Sequence, residues 1–380
     1  MHTLDGVTRG EQWRALGLST FAFTVCFAVW TIFSIIGVKI KQDLGLSDTE
    51  FGILVATPVL TGSISRIFLG VWTEQFGGRL MFPLQMGVTA VCVWLLTSVQ
   101  TYEIFLLAAL GIGLAGGSFI VGIAYTSQWF EKERQGTALG IFGAGNAGAA
   151  VTNFAAPFLV LALGWEQTAQ VYALILAAIA VMFFVFSKED PSTAARRESG
   201  EKPASVLTQL EPLKNIQVWR FATYYFFVFG AFVALASYLP NFYTGAYGVT
   251  LATAGTLAAL YSLPASVFRA LGGWLSDKFG ARFVMYLTFI VSLVCLFVMS
   301  YPATDYVVQG KQGPISFTLA IPLWLFVTLA VVLGFVMSLG KAAVYKHIPV
   351  YYPDHVGSVG GLVGMIGGLG GFVLPIAFGG

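Results

Sequence analysis

Residues 66–79, RIFLGVWTEQFGGR, return in altered form as residues 269–282, RALGGWLSDKFGAR. The two stretches start 203 residues apart, and arginine, glycine, an acid, phenylalanine, glycine and a second arginine match in register. Two unrelated helix ends would share a terminal glycine and a basic last turn, but not six matches at one spacing. The chain is therefore predicted to contain two parallel repeats of about 200 residues each.

The composition around these repeats is that of a membrane protein. Hydrophobic residues make up 57% and charged residues 10% of the 380 residues, far from the roughly 25% charged residues of a soluble domain. The first apolar run is too long for the apolar core of a cleaved signal peptide. Eleven helices are predicted to span the bilayer, at 15–38, 50–72, 80–98, 103–129, 136–161, 168–187, 218–243, 250–274, 280–300, 317–346 and 357–380.

The polar segment after the sixth helix divides the chain. We expect an N-terminal helical bundle at 1–187, a flexible cytoplasmic linker rich in Pro, Ser and mixed charge at 188–217, and a C-terminal bundle at 218–380. The odd helix count and the abrupt end suggest that the C-terminal bundle is incomplete and lacks its last helix. Fourteen Lys and Arg residues fall on the N-terminal side of the membrane and three on the other, which predicts a cytoplasmic N-terminus.

Two predicted membrane helices carry an arginine, whereas the acids fall at helix ends or in loops. Arg66 lies in TPVLTGSISRIFLGVW and Arg269 in YSLPASVFRALGGW. A charge in the bilayer costs at least a few kcal/mol and is retained where it faces a cavity and serves a function. Two buried guanidiniums without a carboxylate partner favour a site for an anion, so the chain is interpreted as an anion transporter.

The repeated G-x-x-x-[DE]-x-F-G-x-R pattern resembles the cytoplasmic loop motif of the major facilitator superfamily. The resemblance covers essentially the whole chain and implies an all-α membrane protein built from two six-helix bundles. It also implies that the motif residues hold the cytoplasmic side closed and do not contact substrate; these residues are Gly70, Glu74, Arg79, Gly273, Asp277 and Arg282.

Two helices are unusually rich in glycine. Helix five reads GTALGIFGAGNAGAA at 136–150, and helix eleven reads GSVGGLVGMIGGLGG at 357–371. Glycine costs a helix about 1 kcal/mol per residue, so it must permit close approach of a neighbouring helix or of a ligand. Tight packing of helices alone would explain these two stretches, which we call the glycine stripes. Together with Asn146, however, they resemble the paired nitrate signatures of the nitrate/nitrite porter family within the superfamily.

That resemblance implies a set of substrate-binding residues. Arginines from the two halves would hold the anion, two phenylalanine rings would lie above and below it, and a tyrosine hydroxyl would reach it. Asn146 and the glycines of both stripes would complete the site. The implied residues are Arg66, Arg269, Asn146, Tyr225, Phe119, Phe229, Gly143, Gly145, Gly364 and Gly367.

Helix ten departs from the family pattern, which often places a small, Asn-bearing polar segment there. This chain has Gly-Lys-Ala-Ala-Val-Tyr-Lys-His-Ile-Pro at 340–349. We expect Lys341 to be deep in the membrane and to take part in proton coupling, because neighbouring arginines and burial disfavour its ammonium form until an anion arrives. The alternative is that Lys341 extends to the cytoplasmic interface, where Lys346 and His347 are expected as anchors.

The predicted function is alternating-access transport of nitrate and nitrite, favoured as nitrate/proton symport. Nitrate/nitrite antiport and a carrier of another small anion, such as a carboxylate, remain alternatives. A membrane enzyme or receptor is disfavoured, because the sequence has no metal-ligand spacing, no phosphate-binding loop and no nucleophile beside a base. The expected partners are nitrate, nitrite, protons and the lipid bilayer, with no cofactor, metal or nucleic acid, and the chain is expected as a monomer in the cell membrane.

Overall fold

The computed structural model describes residues 7–98, 101–201, 203, 205–311 and 313–378, and most of them are helical. Within these residues, ten helical segments are long and apolar enough to cross a membrane. A further segment is divided at Phe268 into two helices, Leu251–Val267 and Arg269–Phe279. Every predicted span therefore coincides with a helical segment.

The helices follow one another with short connections. In chain order they are α1 (Arg9–Trp30), α2 (Phe33–Leu44), α3 (Asp48–Phe76), α4 (Gly78–Leu96), α5 (Tyr102–Gly113), α6 (Ser118–Ser127), α7 (Lys132–Gly143), α8 (Gly148–Leu163), α9 (Trp165–Phe186), α10 (Pro191–Glu198), α11 (Val206–Leu210), α12 (Ile216–Tyr225), α13 (Phe232–Tyr247), α14 (Leu251–Val267), α15 (Arg269–Phe279), α16 (Ala281–Met299), α17 (Leu323–Tyr351) and α18 (Val356–Phe378).

Several membrane segments lose regular α-helical geometry near their middle. Residues Leu114–Gly117 and Ala144–Ala147 form 3₁₀ turns, and Phe226–Ala231 form a π-helical turn. The break at Phe268 follows Pro264, which cannot donate an amide proton to the preceding turn. Such irregular turns often occur at functional sites. They contain or adjoin seven of the predicted site residues, which are Phe119, Gly143, Gly145, Asn146, Tyr225, Phe229 and Arg269.

The glycine-rich helices pack across the boundary between the two halves. Helix α18 packs along α3, and α7 packs along α15. A Cβ atom on Gly140 would lie 2.5 Å from the Arg269 carbonyl oxygen, and one on Gly361 would lie 2.6 Å from that of Arg66. Glycine is needed at these positions because the neighbouring backbone leaves no space for a side chain. We call these two contacts, α3 with α18 and α7 with α15, the seams between the halves. The two seams are related in the same way as the two repeats in the sequence.

The linker between the halves is more ordered than its composition predicted. Its helix α10 begins after Asp190, whose side chain accepts a hydrogen bond from the Thr193 amide at 2.9 Å. The Arg196 guanidinium donates to the carbonyls of Glu74 and Gln75 at 2.8 and 2.9 Å. This part of the linker is therefore a capped helix that is bound to the end of α3 in this conformation.

A β-hairpin separates α16 from α17. Strand β1 (Thr304–Gly310) pairs antiparallel with β2 (Gly313–Leu319). The tenth helix was expected to begin at residue 317, which is wrong, since α17 begins at Leu323. The alternating β-branched and aromatic residues of 304–319 favour strands over a helix.

Candidate functional site

Arg66 lies on α3 and is almost completely buried. Its exposed fraction is 1%. Its Nε donates to the Gly116 carbonyl at 3.2 Å and its Nη1 to the Gly364 carbonyl of α18 at 2.7 Å. Arg66 forms no ion pair with any residue that the structure describes. Part of its donor capacity therefore holds the two halves together, and its charge is not neutralised.

Arg269 is the first residue of α15 and is also 1% exposed. Among the described residues, its Nε and Nη1 have no hydrogen-bond partner. Buried polar groups in folded proteins are almost always paired, so orphaned donors on a guanidinium need an explanation. Free donors of this kind suit an anion that arrives from outside.

The ring of Phe119 lies against both arginines. The Cζ atoms of Arg66 and Arg269 are 5.7 and 5.1 Å from its centroid, and Arg66 Cζ is 5.5 Å from the ring of Phe229. The ring faces attract the guanidiniums, although a ring quadrupole is far weaker than a full counter-charge. Arginines predicted from separate halves are thus brought together around one phenylalanine.

Tyr225 lies parallel to both phenylalanines. Its ring is 6.4 Å from Phe119 with an interplanar angle of 11°, and 5.1 Å from Phe229 with an angle of 6°. The Tyr225 hydroxyl is buried near the Arg269 guanidinium, without a hydrogen bond of normal geometry. The two phenylalanines therefore both stack on Tyr225 in this conformation, and a planar anion would have to enter this set of parallel rings.

Asn146 lies in the 3₁₀ turn after α7 and is 6% exposed. Its Nδ2 has no hydrogen-bond partner among the described residues. An unpaired buried amide is costly, so this group is a second orphaned donor in the glycine-rich region.

The predicted glycines differ in what they approach. A Cβ on Gly143 would lie 2.6 Å from Arg269 Nε, and one on Gly364 would lie 3.0 Å from Arg66 Cδ. A Cβ on Gly367 would contact the ring of Tyr225. Three of these glycines therefore lie directly beside predicted substrate residues.

Gly145 is the exception among the predicted glycines. A Cβ at this position would lie 2.6 Å from the ring of Phe23 and 3.1 Å from Thr24 Oγ1, both on α1. In this conformation Gly145 permits packing of helices within the first half, and the nearest atoms do not belong to the arginines.

Sequence reasoning did not assign Tyr345 to the site. Its ring meets Phe119 and Tyr225 edge-on, at 4.8 Å in each case, and its hydroxyl donates to the Gly360 carbonyl at 3.0 Å. Tyr345 lies four residues after Lys341, one turn along α17. The signal that could have revealed it is this helical spacing from a charged residue.

Lys341 is fully buried on α17, with an exposed fraction of 0%. Its Nζ donates to the Ala265 carbonyl at 2.9 Å and lies 3.2 Å from the ring centroid of Phe232. Ala265 belongs to the last turn of α14, where carbonyls lack the amide partners of a continuing helix. Lys341 does not extend to the interface, so that alternative is wrong for this conformation.

The acid of the second motif copy bonds across the two halves. Asp277 accepts hydrogen bonds from the amides of Gly136 and Thr137, at 2.9 and 2.6 Å, in the second turn of α7. It also forms an ion pair with Lys346 Nζ at 2.7 Å. Lys346 was expected as an interface anchor, but its side chain is only 9% exposed and is held in this pair.

The acid of the first copy has a similar position but pairs with no cation among the described residues. Glu74 Oε1 accepts from the amides of Gly357 and Ser358 at the beginning of α18, the latter at 3.2 Å. Its Oε2 is buried without a hydrogen-bond partner in the described residues. A helix N-terminus stabilises a carboxylate, so both acids link the halves at one end, which we call the gating end.

The other motif residues divide between packing and surface positions. Gly70 lies against Gly357, and Gly273 against Gly136, so closely that a Cβ on either would overlap the neighbouring backbone. The Arg79 guanidinium lies 5.4 Å from the ring of Phe184. Among the described residues, neither Arg79 nor Arg282 forms an ion pair with the motif acids.

Comparisons with known proteins agree on the family. The family model of the Major Facilitator Superfamily matches residues 18–375. The chain is 43% identical to a probable nitrate/nitrite antiporter, NarK1, of Thermus thermophilus, over 97% of this chain and 85% of that protein. It is 31% identical to a nitrite extrusion protein of Bacillus subtilis (96% and 86% covered), and 30% identical to a probable nitrate transporter, NarT, of Staphylococcus epidermidis (95% and 87% covered).

Solved structures confirm the predicted fold class. The major facilitator transporter FucP in its outward conformation aligns with a TM-score of 0.71 at 14% identity, over 96% of this chain and 91% of that one. The proton:xylose symporter XylE, bound to 6-bromo-6-deoxy-D-glucose, aligns with a TM-score of 0.71 at 13% identity, over 97% and 88%. The protein is a multi-pass membrane protein that belongs to the major facilitator superfamily and, within it, to the nitrate/nitrite porter family.

Proposed function

We propose that this protein is a secondary transporter that carries nitrate, and with it nitrite, across the membrane by alternating access. The observation that carries the proposal is the pair of buried guanidiniums of Arg66 and Arg269, one from each half, which form no ion pair with a described residue and both lie near the ring of Phe119. The names of the relatives, which include nitrate and nitrite transporters, support the same substrates.

The chemistry of the site suits a small planar anion. A guanidinium stays charged at any relevant pH and can donate two parallel hydrogen bonds to the edge of a planar anion. Arg269 has two free donors, and the amide of Asn146 has another. The flat faces of Phe119, Tyr225 and Phe229 restrict the space to a planar species that needs few further hydrogen bonds.

The anion would couple the two halves. In the empty site, Arg66 and Arg269 repel each other in surroundings of low polarity, where charges interact strongly. An anion shared between them offsets this repulsion, so it binds more tightly to conformations that bring the halves together. A difference in affinity between two states is what a substrate needs in order to shift a conformational equilibrium.

The gating end is closed in this conformation. Glu74 and Asp277 each bond to a helix of the opposite half at that end. Substrate would therefore reach the arginines from the other end, and transport would require both acid–helix contacts to break. We infer from the charges of the loops that the gating end and the N-terminus are cytoplasmic and that the protein lies in the cell membrane. The division into bundles at 1–187 and 218–380 agrees with rocking of the two halves around the site.

We further propose that Lys341 couples transport to protons. It is the buried cation of α17 that lies beside the aromatic rings of the site. Its only hydrogen bond within the described residues goes to the neutral carbonyl of Ala265. Arrival of an anion would favour the ammonium, and departure would favour release of the proton. The alternative is nitrate/nitrite antiport, in which the second anion replaces the proton in resetting the carrier.

Transport by the purified protein tests the proposal. Liposomes loaded with nitrate or nitrite should take up labelled nitrate by counterflow, and unlabelled nitrite should compete more strongly than formate, pyramidal chlorate or chloride. Liposomes that hold the Arg269→Gln protein serve as the control for leakage. If formate exchanged as fast as nitrate, a carrier of another small anion would replace the proposed function.

A further inference from the structure

A groove of about 420 Å³ opens at the gating end of the seam between α7 and α15. Its walls come from three helices, since α1 contributes its first turns, α7 its N-terminal half and α15 its last turns. The groove therefore touches both halves of the protein. It lies away from the arginine site and is not used in the transport mechanism described above.

Three cations line this groove without a counter-charge of their own. Arg9, Arg134 and Lys278 form no ion pair with any described residue, and all three are exposed. Asp277, one of the two acids of the lining, is already paired with Lys346. Glu133 is the remaining carboxylate of the lining, so the groove carries a net positive charge and favours an anionic ligand.

The rest of the lining is aromatic and aliphatic. The side chains of Trp13 and Trp274 are 52% and 45% exposed, and Lys278 Nζ lies 4.9 Å from the ring of Trp274. Leu16 and Ile141 complete the apolar wall. Tryptophan is enriched where a membrane protein crosses from hydrocarbon to headgroups. A ligand that fits must therefore have both a negative charge and an apolar part.

The equivalent position on the other seam has a linker helix along one wall. At the gating end of the seam between α3 and α18, a groove of about 560 Å³ is bordered by α10, and Arg196 bonds to the carbonyls of Glu74 and Gln75. Within the described residues, no such helix borders the groove between α7 and α15. That groove therefore has its cations and aromatic side chains free of a linker helix.

We propose that the groove binds the headgroup of an anionic phospholipid, with the phosphate held by Arg9, Arg134 and Lys278. The acyl chains would extend from the apolar wall at Trp13 and Trp274 into the surrounding bilayer. Basic pockets between membrane helices on the cytoplasmic side bind anionic headgroups for the same electrostatic reason. The proposal does not depend on which anion the carrier transports.

Retention of lipid by the purified full chain tests this site. The protein is incubated with an equal mixture of phosphatidylglycerol and phosphatidylcholine, and bound lipids are counted by native mass spectrometry. The original protein should retain phosphatidylglycerol preferentially. The Arg134→Gln/Lys278→Gln protein should lose this preference by on the order of tenfold, because each basic side chain contributes to attraction of anionic lipid.

A matched variant controls for total charge. Lys214→Gln/Arg220→Gln removes one cation just before α12 and one within it, neither of which lines the groove, and should keep the original preference. Melting temperatures check that both variants fold, and Arg9→Gln, in the first turn of α1, gives a second test if the double variant does not. Equal retention by all proteins would overturn the proposal. Displacement of the lipid by millimolar inorganic phosphate would overturn it as well, since it would identify the groove as a site for a soluble anion.

Discussion

Gly143 lies directly against Arg269: a Cβ atom on this glycine would be 2.6 Å from Nε of the guanidinium. Gly364 stands in the same relation to Arg66, with a distance of 3.0 Å to Cδ. Each buried arginine is therefore covered by the glycine-rich helix of the opposite half. The absent side chains both leave space beside the charges and determine how closely the halves approach, so a change at either glycine should act on binding and on closure together.

The first prediction concerns the chemistry of the two arginines. Arg66→Lys and Arg269→Lys keep a positive charge but lose the planar fork, so each should lower nitrate counterflow at low substrate by more than about tenfold, as expected for loss of a hydrogen bond to a charged group. Arg66→Lys should also lower the melting temperature, because Arg66 donates to the carbonyls of Gly116 and Gly364. Arg269→Lys should change it less. Near-normal uptake by either variant would exclude that arginine from substrate binding.

The second prediction separates glycines that face the site from those that face another helix. Gly143→Ala should abolish transport, because the new methyl group would displace the Arg269 guanidinium. Gly145→Ala should mainly destabilise the protein, since its methyl group would meet Phe23 and Thr24. Gly87→Ala, where no atom lies within 4 Å, is the control; it should leave transport unchanged and should not lower the melting temperature, because alanine favours a helix more than glycine does. Counterflow and thermal unfolding would be measured for all three, and an active Gly143→Ala protein would contradict the assignment.

The third prediction concerns the unpaired amide of Asn146. If Nδ2 donates to the bound anion, Asn146→Ala should weaken nitrate binding by about 1–3 kcal/mol, the cost of removing a buried polar partner. The stability of the empty protein should not fall, because Nδ2 has no partner to lose among the described residues. Isothermal titration with nitrate would measure the affinity. Unchanged affinity together with unchanged selectivity over chloride would make Asn146 a packing residue.

The fourth prediction follows from the difference between the two gating acids. Asp277 is paired with Lys346 and accepts hydrogen bonds from two amides of α7, whereas Glu74 has no cationic partner among the described residues and has one oxygen without a hydrogen bond there. Asp277→Asn leaves Lys346 as an uncompensated buried charge, which is costly, so it should open the gating end more than Glu74→Gln does. Labelling of a cysteine introduced at Thr137 would report the opening. A larger opening in the Glu74→Gln protein would contradict this account of the gate.

The fold and the pair of arginines could be predicted because both are encoded by local patterns. Apolar length identifies each span, and one constant spacing relates Arg66 to Arg269, so the symmetry of the halves determines that they meet. Tyr345 and the Asp277–Lys346 pair could not be predicted in this way. Their contacts depend on how α17 is rotated relative to α12 and α15, and no periodic pattern in one chain specifies that rotation.

The sequence pattern also could not predict which neighbours each glycine approaches, or that part of the polar linker is helical. Gly143 and Gly145 are two residues apart in one stripe, yet the 3₁₀ turn that starts at Ala144 turns them toward different neighbours. The segment 188–217 has the composition of a flexible linker, but it includes α10, which is stabilised by contacts with the end of α3. In both cases tertiary contacts decide the local structure.

The last prediction tests proton coupling at Lys341. In the empty carrier its ammonium is buried against Phe232 with a neutral carbonyl as its hydrogen-bond partner. Lys341→Gln removes the proton site, so it should abolish nitrate accumulation driven by a pH gradient while nitrate/nitrite counterflow continues. Lys341→Arg keeps the charge but cannot release a proton at physiological pH, so it should also lose accumulation. Lys311→Gln, an exposed position at the turn of the hairpin, is the control and should accumulate nitrate normally. Accumulation by the Lys341→Gln protein under a proton gradient alone would show that the proton moves through another group, and absence of accumulation by the unmodified protein would favour antiport, in which nitrite takes over the role assigned to the proton.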